Sequence, residues 1–186
     1  MVDCNYFSAI WMEEQVVRVM ETHQPSLGYS TCFCRTVHQS RAFYDPRGWF
    51  ARLQNRVKQP YPEALRRNII ACNHPVLRAM MTSYLYQIES AVRRKDSVSV
   101  NHRVAALLAS YFDIVFALNR VLHPGEKWLI AFAHSECTLL LTAMDADIAA
   151  VLAAAGTASA EVVVHLTRLL DRLDELRIEI GFDANT

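Results

Sequence analysis

YFDIVFALNRVLHPGEKW, residues 111–128, is the stretch on which the reading of the fold turns. Tyr111, Ile114, Val115, Leu118, Val121 and Leu122 recur at three- and four-residue steps, which places them on one apolar face of a helix. His123-Pro124-Gly125 then stops that helix, because proline lacks a backbone donor and fixes φ while glycine relaxes the chain. Asn119 and Arg120 stand just before the stop, and Glu126, Lys127 and Trp128 follow it on what reads as the first turn of a new helix. Polar groups meeting between two buried helices suit an anionic ligand, since Arg and Lys bring charge and a helix N-terminus brings free N–H groups. They suit equally a capping cluster with Lys127 in solvent, and the spacing leaves both readings open.

Outward from this corner the chain reads as helix almost to its end. Asp45 can cap a helix opening at Pro46, with Trp49, Phe50 and Leu53 as its buried face. Pro60 and Pro62 bracket Tyr61 in a linker, and a helix over 63–73 is closed by His74-Pro75. A further helix over 76–94 carries Leu77, Met80, Met81, Tyr84, Leu85, Ile88 and Val92 as its stripe. Ser97 or Ser99 caps the long helix that runs into the Asn119 corner. Three more follow, at 126–137, 139–155 and 160–180, and the alternating charges of RLLDRLDELRIEI mark a solvated outer face on the last.

The first 45 residues have another character. Val2 to Phe7 and Tyr29 to Val37 (YSTCFCRTV) are rich in residues that favour strands, Arg41 to Tyr44 could add a third, and an amphipathic helix over 10–23 lies between. The expectation is a mainly α protein: a bundle of about five to seven helices over residues 46–186, preceded by a small β–α–β–β remnant over residues 1–45.

Composition narrows the function classes. The 186 residues are 52% hydrophobic and 20% charged, which describes a globular chain. Nineteen basic residues balance nineteen acidic ones, so no overall charge draws the chain to nucleic acid or to an anionic membrane. No apolar run is long enough to span a bilayer and the N-terminus lacks the order of a signal peptide, so a cytoplasmic location is expected. Cys4, Cys32, Cys34, Cys72 and Cys137 lack the paired spacing of a zinc site and read as free thiols.

YDPRGWFARLQ at 44–54, PYPEALRRNII at 60–70, SYLYQIESAVRRKDSVSVNHRVAALLASYFDIVFALNR at 83–120 and HPGEKWL at 123–129 together resemble the helical domain that follows the catalytic domain in a family of bacterial nucleotidyltransferase-like proteins. That plan is similar to the kanamycin and lincosamide nucleotidyltransferases, in which a small sheet carries Gly-Ser and Asp-x-Asp, a later strand brings a third carboxylate, and a helical bundle closes over the acceptor. The resemblance implies Mg²⁺ chemistry on a nucleoside triphosphate and a small-molecule acceptor. Neither Gly-Ser nor Asp-x-Asp occurs before residue 45, and Asp145-x-Asp147, in an alanine-rich helical segment, reads as surface charge. Asp3 falls in the place of the third carboxylate and is the implied metal-binding and catalytic residue. On that alignment the sequence begins partway through the catalytic unit.

The acceptor-side residues the resemblance leaves are Asn119, Arg120, Lys127 and Tyr61, with Asp113 as a base that could take a hydroxyl proton or, alternatively, as a hydrogen-bonded structural residue. The expected protein is inactive in nucleotidyl transfer on its own, completed by a complementing nucleotidyltransferase domain or paired with a second copy. Two other classes stay open. Arg67 and His74 lie nearly on one helix face, as in helical HEPN-type ribonucleases. An unpaired sheet edge at the N-terminus would suit a non-catalytic interaction module.

Overall fold

The structure is a computed structural model and describes residues 5–182. Nine α-helices and two π-helical turns, Val17–Glu21 and Pro75–Ala79, account for its regular structure, and no strand occurs among the described residues: α1 (Ala9–Val16), α2 (Cys32–Gln39), α3 (Trp49–Val57), α4 (Glu63–His74), α5 (Tyr84–Arg93), α6 (Ser97–Leu118), α7 (Leu129–Glu136), α8 (Met144–Ala155) and α9 (Glu161–Glu179). The mainly helical architecture is as the periodicity implies, and the seven helices α3 to α9 fall within the five to seven expected over residues 46–186.

The expected β remnant is absent among the described residues. Tyr29 to Val37 contains most of α2, because Cys34 and Val37 sit one turn apart and both are buried while Thr36 and His38 face solvent. Strand propensity spans only about 1 kcal/mol per residue, less than the burial of two apolar side chains returns. Arg41 to Tyr44 is exposed and irregular, and so is the described part of the first expected strand, Asn5 to Phe7. Side chains from this region, Val16, Val19, Met20, Cys34 and Val37, enter the same core as those of α3 to α9.

α6 is the axis of the molecule. Asp96 caps it in place of either serine, accepting from the Ser99 N–H at 3.0 Å and the Ser99 hydroxyl at 2.6 Å. From Ala109 to Leu118 every side chain of α6 is buried, so this half has no solvent face at all. α4, α5, α7 and α8 pack on it, α9 lies across α8 and α5, and α1 rests on α2 and α3.

Two helices run differently from their periodicity. Pro75 does not stop α4 but carries it into a π-helical turn, Pro75–Ala79, where Met80 N–H reaches the Pro75 carbonyl. The break comes at Met80, which is extended, and Ser83 then caps α5. Asp45 does cap α3, accepting from Ala51 N–H at 3.0 Å, although the helix proper opens at Trp49.

Candidate functional site

The corner after α6 is built by its backbone first. Asn119 caps α6, Arg120 takes the left-handed region at φ 56°, and the Val121 and Arg120 N–H groups return to the Phe116 and Ala117 carbonyls. These two bonds define a Schellman motif in which arginine replaces the usual glycine. His123 then turns inward: its N–H donates to the Thr31 hydroxyl at 2.7 Å and its Nδ1 accepts from Gly125 N–H at 3.0 Å. The ring stands edge-on to Tyr29 and Phe116, its Nε2 is buried without a partner among the described residues, and burial pushes its pKa down to about 4. His123 is therefore a neutral wedge holding the corner closed.

The polar residues of the corner separate into different roles. Asn119 is structural: its amide donates to the Val115 and Leu139 carbonyls at 2.9 Å each, and its oxygen accepts from the Thr138 and Leu139 N–H groups at 3.0 and 2.7 Å. It ties the end of α6 to the loop before α8, which leaves none of its groups for a substrate. Lys127 is not on a helix, since α7 opens only at Leu129 with Trp128 in the left-handed region ahead of it. The lysine is exposed and in no ion pair with a described residue.

Arg120 and Tyr61 do come together. They line one cavity of about 170 Å³ with His38, Lys58, Gln59 and Leu122. Arg120 is held over it by the Glu63 carboxylate at 2.9 Å. The Tyr61 hydroxyl is buried with no partner among the described residues, and burial, reinforced by the Asp113 carboxylate, pushes its pKa up, so it is a phenol and a donor. The volume is below the several hundred Å³ that enclose a whole drug-sized ligand, so the cavity suits one polar group of a substrate. Lys58 and His38 were not legible as site residues, because neither lies near Arg120 in sequence and no periodicity links α2, α3 and the end of α6.

Asp113 is elsewhere, sealed at 1% exposure. It accepts from the Ser30 N–H at 3.1 Å, the Ser30 hydroxyl at 2.6 Å and the Asn73 amide at 3.2 Å. Asn73 in turn accepts from Gly28 N–H at 2.8 Å and donates to the Ser26 and Ile69 carbonyls at 3.0 and 3.1 Å. The network fastens loop 26–30 onto α4 and α6. Burial pushes the Asp113 carboxyl up to about 7 against the pull of these donors. With no solvent path, it matches the hydrogen-bonded structural alternative rather than a base that meets substrate.

Among the described residues the remaining carboxylates do not assemble a Mg²⁺ site. Asp3 lies outside the described residues. Asp147 is buried and paired with Arg172, a correction to its reading as surface charge, while Asp145 pairs with His134 at 2.9 Å. Among the described residues no cluster of three acidic, histidine or cysteine side chains could hold a metal ion, and the one sealed aspartate has its lone pairs engaged. Cys32, Cys34, Cys72 and Cys137 are free thiols. Cys4 lies outside the described residues.

His74 and Arg67 are not joined by a hydrogen bond. His74 Nε2 lies 2.5 Å from Asp174 and 2.7 Å from Arg177, both on α9, and Arg78 completes the cluster against Asp174 and Asp171. Burial would raise the Asp174 pKa, but hydrogen bonds from His74 and Arg78 hold it at about 2. Arg67 stands exposed two turns earlier on α4 and takes no part in this cluster. The charges of α9 thus include a clamp onto α4, and not a solvated face alone.

The arrangement defines a helical protein with a small cationic cavity at the end of its central helix. The chain belongs to the family described as Domain of unknown function (DUF4037), whose profile matches residues 30–129, from the Ser30 end of the Asp113 network through the corner to α7. No curated protein and no solved structure matches it.

Proposed function

We propose that this chain is the helical, acceptor-binding part of a nucleotidyltransferase-like protein. The observation that carries the reading is the convergence of Tyr61 and Arg120, distant in sequence, with Lys58 and His38 around one cavity. A cationic cavity sized for one polar group would hold the acceptor by an anionic or hydroxyl substituent, Arg120 by a directed fork and Lys58 by charge. Transfer itself needs Mg²⁺, a nucleoside triphosphate and carboxylates supplied by a catalytic unit, so the chain alone is inactive.

Ligand-observed NMR against a panel of hydroxylated, aminated and phosphorylated small molecules, with calorimetry of Mg²⁺–nucleoside triphosphates, tests this. A panel ligand weakened at least tenfold by both Arg120→Ala and Lys58→Ala supports it. Absence of any ligand sensitive to these two changes, or nucleotidyl transfer by the chain alone, overturns it.

A second reading, an interaction module, draws on one observation. Tyr6 and Phe43 are 96% and 97% exposed, and Phe7, half-exposed, stacks on Trp11 at 4.7 Å. Exposed aromatics concentrated before residue 45 suit a protein partner, either a complementing catalytic domain or a second copy. Light scattering of the chain, with Phe43→Ser as control, separates a self-associating protein from a monomer. No described helix is long and apolar enough to cross a membrane.

A further inference from the structure

A second cavity, of about 220 Å³, lies in the α5–α6 hairpin and is lined by Tyr86, Gln87, Ser90, Arg94, Ser99 and Arg103. Helical spacing places these groups: Tyr86, Ser90 and Arg94 recur every four residues down α5 and its C-cap, and Ser99 and Arg103 do so on the first turns of α6. The two helices are antiparallel neighbours joined by a tight turn, so the C-terminal end of one stripe faces the N-terminal end of the other.

The lining carries two guanidinium groups and no carboxylate. Neither Arg94 nor Arg103 is in an ion pair with a described residue. Ser90 Oγ already accepts from Arg93 at 2.8 Å, and the Gln87 amide donates to the Thr82 carbonyl at 2.6 Å. Asp96, in the turn between the two helices, is engaged by the Ser99 N–H and hydroxyl as the cap of α6. In a chain of zero formal charge, residues 93–103 carry Arg93, Arg94, Lys95 and Arg103 against Asp96 alone. Two guanidinium groups, neither paired with a described residue, line this one cavity and present directed N–H donors to it. Tyr86, 51% exposed at the rim, adds an aromatic face beside them.

We infer that this cavity is a binding site for a small phosphate monoester, its phosphate forked by Arg94 and Arg103 and its organic part lying against Tyr86. Arginine forks match the tetrahedral oxygens of phosphate better than a single carboxylate would use them, and a cavity of this volume takes the phosphate and an adjoining ring but not a folded polymer. Its lining shares no residue with the Arg120 cavity, so the Arg94 and Arg103 variants report on this site alone.

Calorimetry at low salt with a nucleoside 5′-monophosphate, its parent nucleoside and inorganic phosphate tests the inference, using wild type, Arg94→Gln, Arg103→Gln and Tyr86→Leu, each checked for native helicity by circular dichroism. The monophosphate is expected to bind saturably, at least tenfold more tightly than the nucleoside. The affinity should fall at least tenfold in each arginine variant and fall with added salt. Inorganic phosphate binding with the same dependence on both arginines also supports the site. No saturable binding of either phosphate, or binding that survives both arginine changes, overturns it. Binding of single-stranded RNA with none of the monophosphate overturns it as well, by showing the surface to be a polymer track.

Discussion

Replacing Asp113 by asparagine separates two forces that act on the same carboxyl. Burial disfavours its charge, whereas the Ser30 N–H, Ser30 hydroxyl and Asn73 amide favour it. The hydrogen-bond geometry also accommodates the neutral acid: a protonated Oδ2 can donate to Ser30 Oγ, whose own proton then turns to the Ser26 carbonyl at 3.1 Å. The folded pKa of about 7 lies above the unfolded value of 3.8, so the folded protein holds the extra proton. The resulting stability is fully present below the unfolded pKa and is lost as pH rises through about 7. At roughly 1.4 kcal/mol per pH unit, this group alone removes about 2–3 kcal/mol between pH 5 and pH 8. His123 runs the other way, since its depressed pKa contributes stability above its unfolded value that is lost as pH falls toward 4. The two slopes therefore oppose each other in the wild type below about pH 6.5.

The difference between wild type and Asp113→Asn cancels the histidine and leaves the carboxyl. Asparagine keeps the Ser30 contacts but sets its amide against that of Asn73, a loss of about 1 kcal/mol independent of pH. Urea unfolding of both proteins at pH 5, 6, 7 and 8 is the assay, and the advantage of wild type should shrink by about 2–3 kcal/mol across that range. An advantage that stays level within about half a kcal/mol, or grows with pH, would refute the argument. It would show that the three donors outweigh burial and that Asp113 is folded as a carboxylate.

Other outcomes can be checked by the same denaturation. Gly28 has φ +75° and an added Cβ would meet Ala109 Cβ at 3.0 Å, so Gly28→Ala should cost about 2–4 kcal/mol and loosen the loop from α6. Asn119→Ala removes four hydrogen bonds at the end of α6 and should cost about 2–3 kcal/mol, with ligand binding at the Arg120 cavity falling only as far as the corner loosens. Arg120→Gly relieves a left-handed arginine while losing a half-exposed pair with Glu63, so stability should stay within about 1 kcal/mol of wild type although acceptor binding drops.

The helical class was legible because the Tyr111–Leu122 periodicity and the His123-Pro124-Gly125 stop are local signals: spacing encodes a face, and proline and glycine act on their own backbone. The same locality made Arg120 a candidate by residue type, whereas Tyr61 entered only through the family resemblance. Local pattern erred where long-range burial overrode it. YSTCFCRTV has strand chemistry but buries Cys34 and Val37 as helix α2, and Pro75 extends α4 through a π turn. Spacing placed Lys127 on the first turn of a helix at the corner, yet α7 begins two residues later and leaves it in solvent. Only the tertiary structure could bring Lys58 and His38 beside Arg120, lock Asp113 to Ser30 across 83 residues, or fasten His74 to Asp174 across 100. Such pairings depend on which helices cross, and crossing is set by the packing of whole faces around α6. No window of sequence contains that information, because each helix is stable in its place only once the others have covered it.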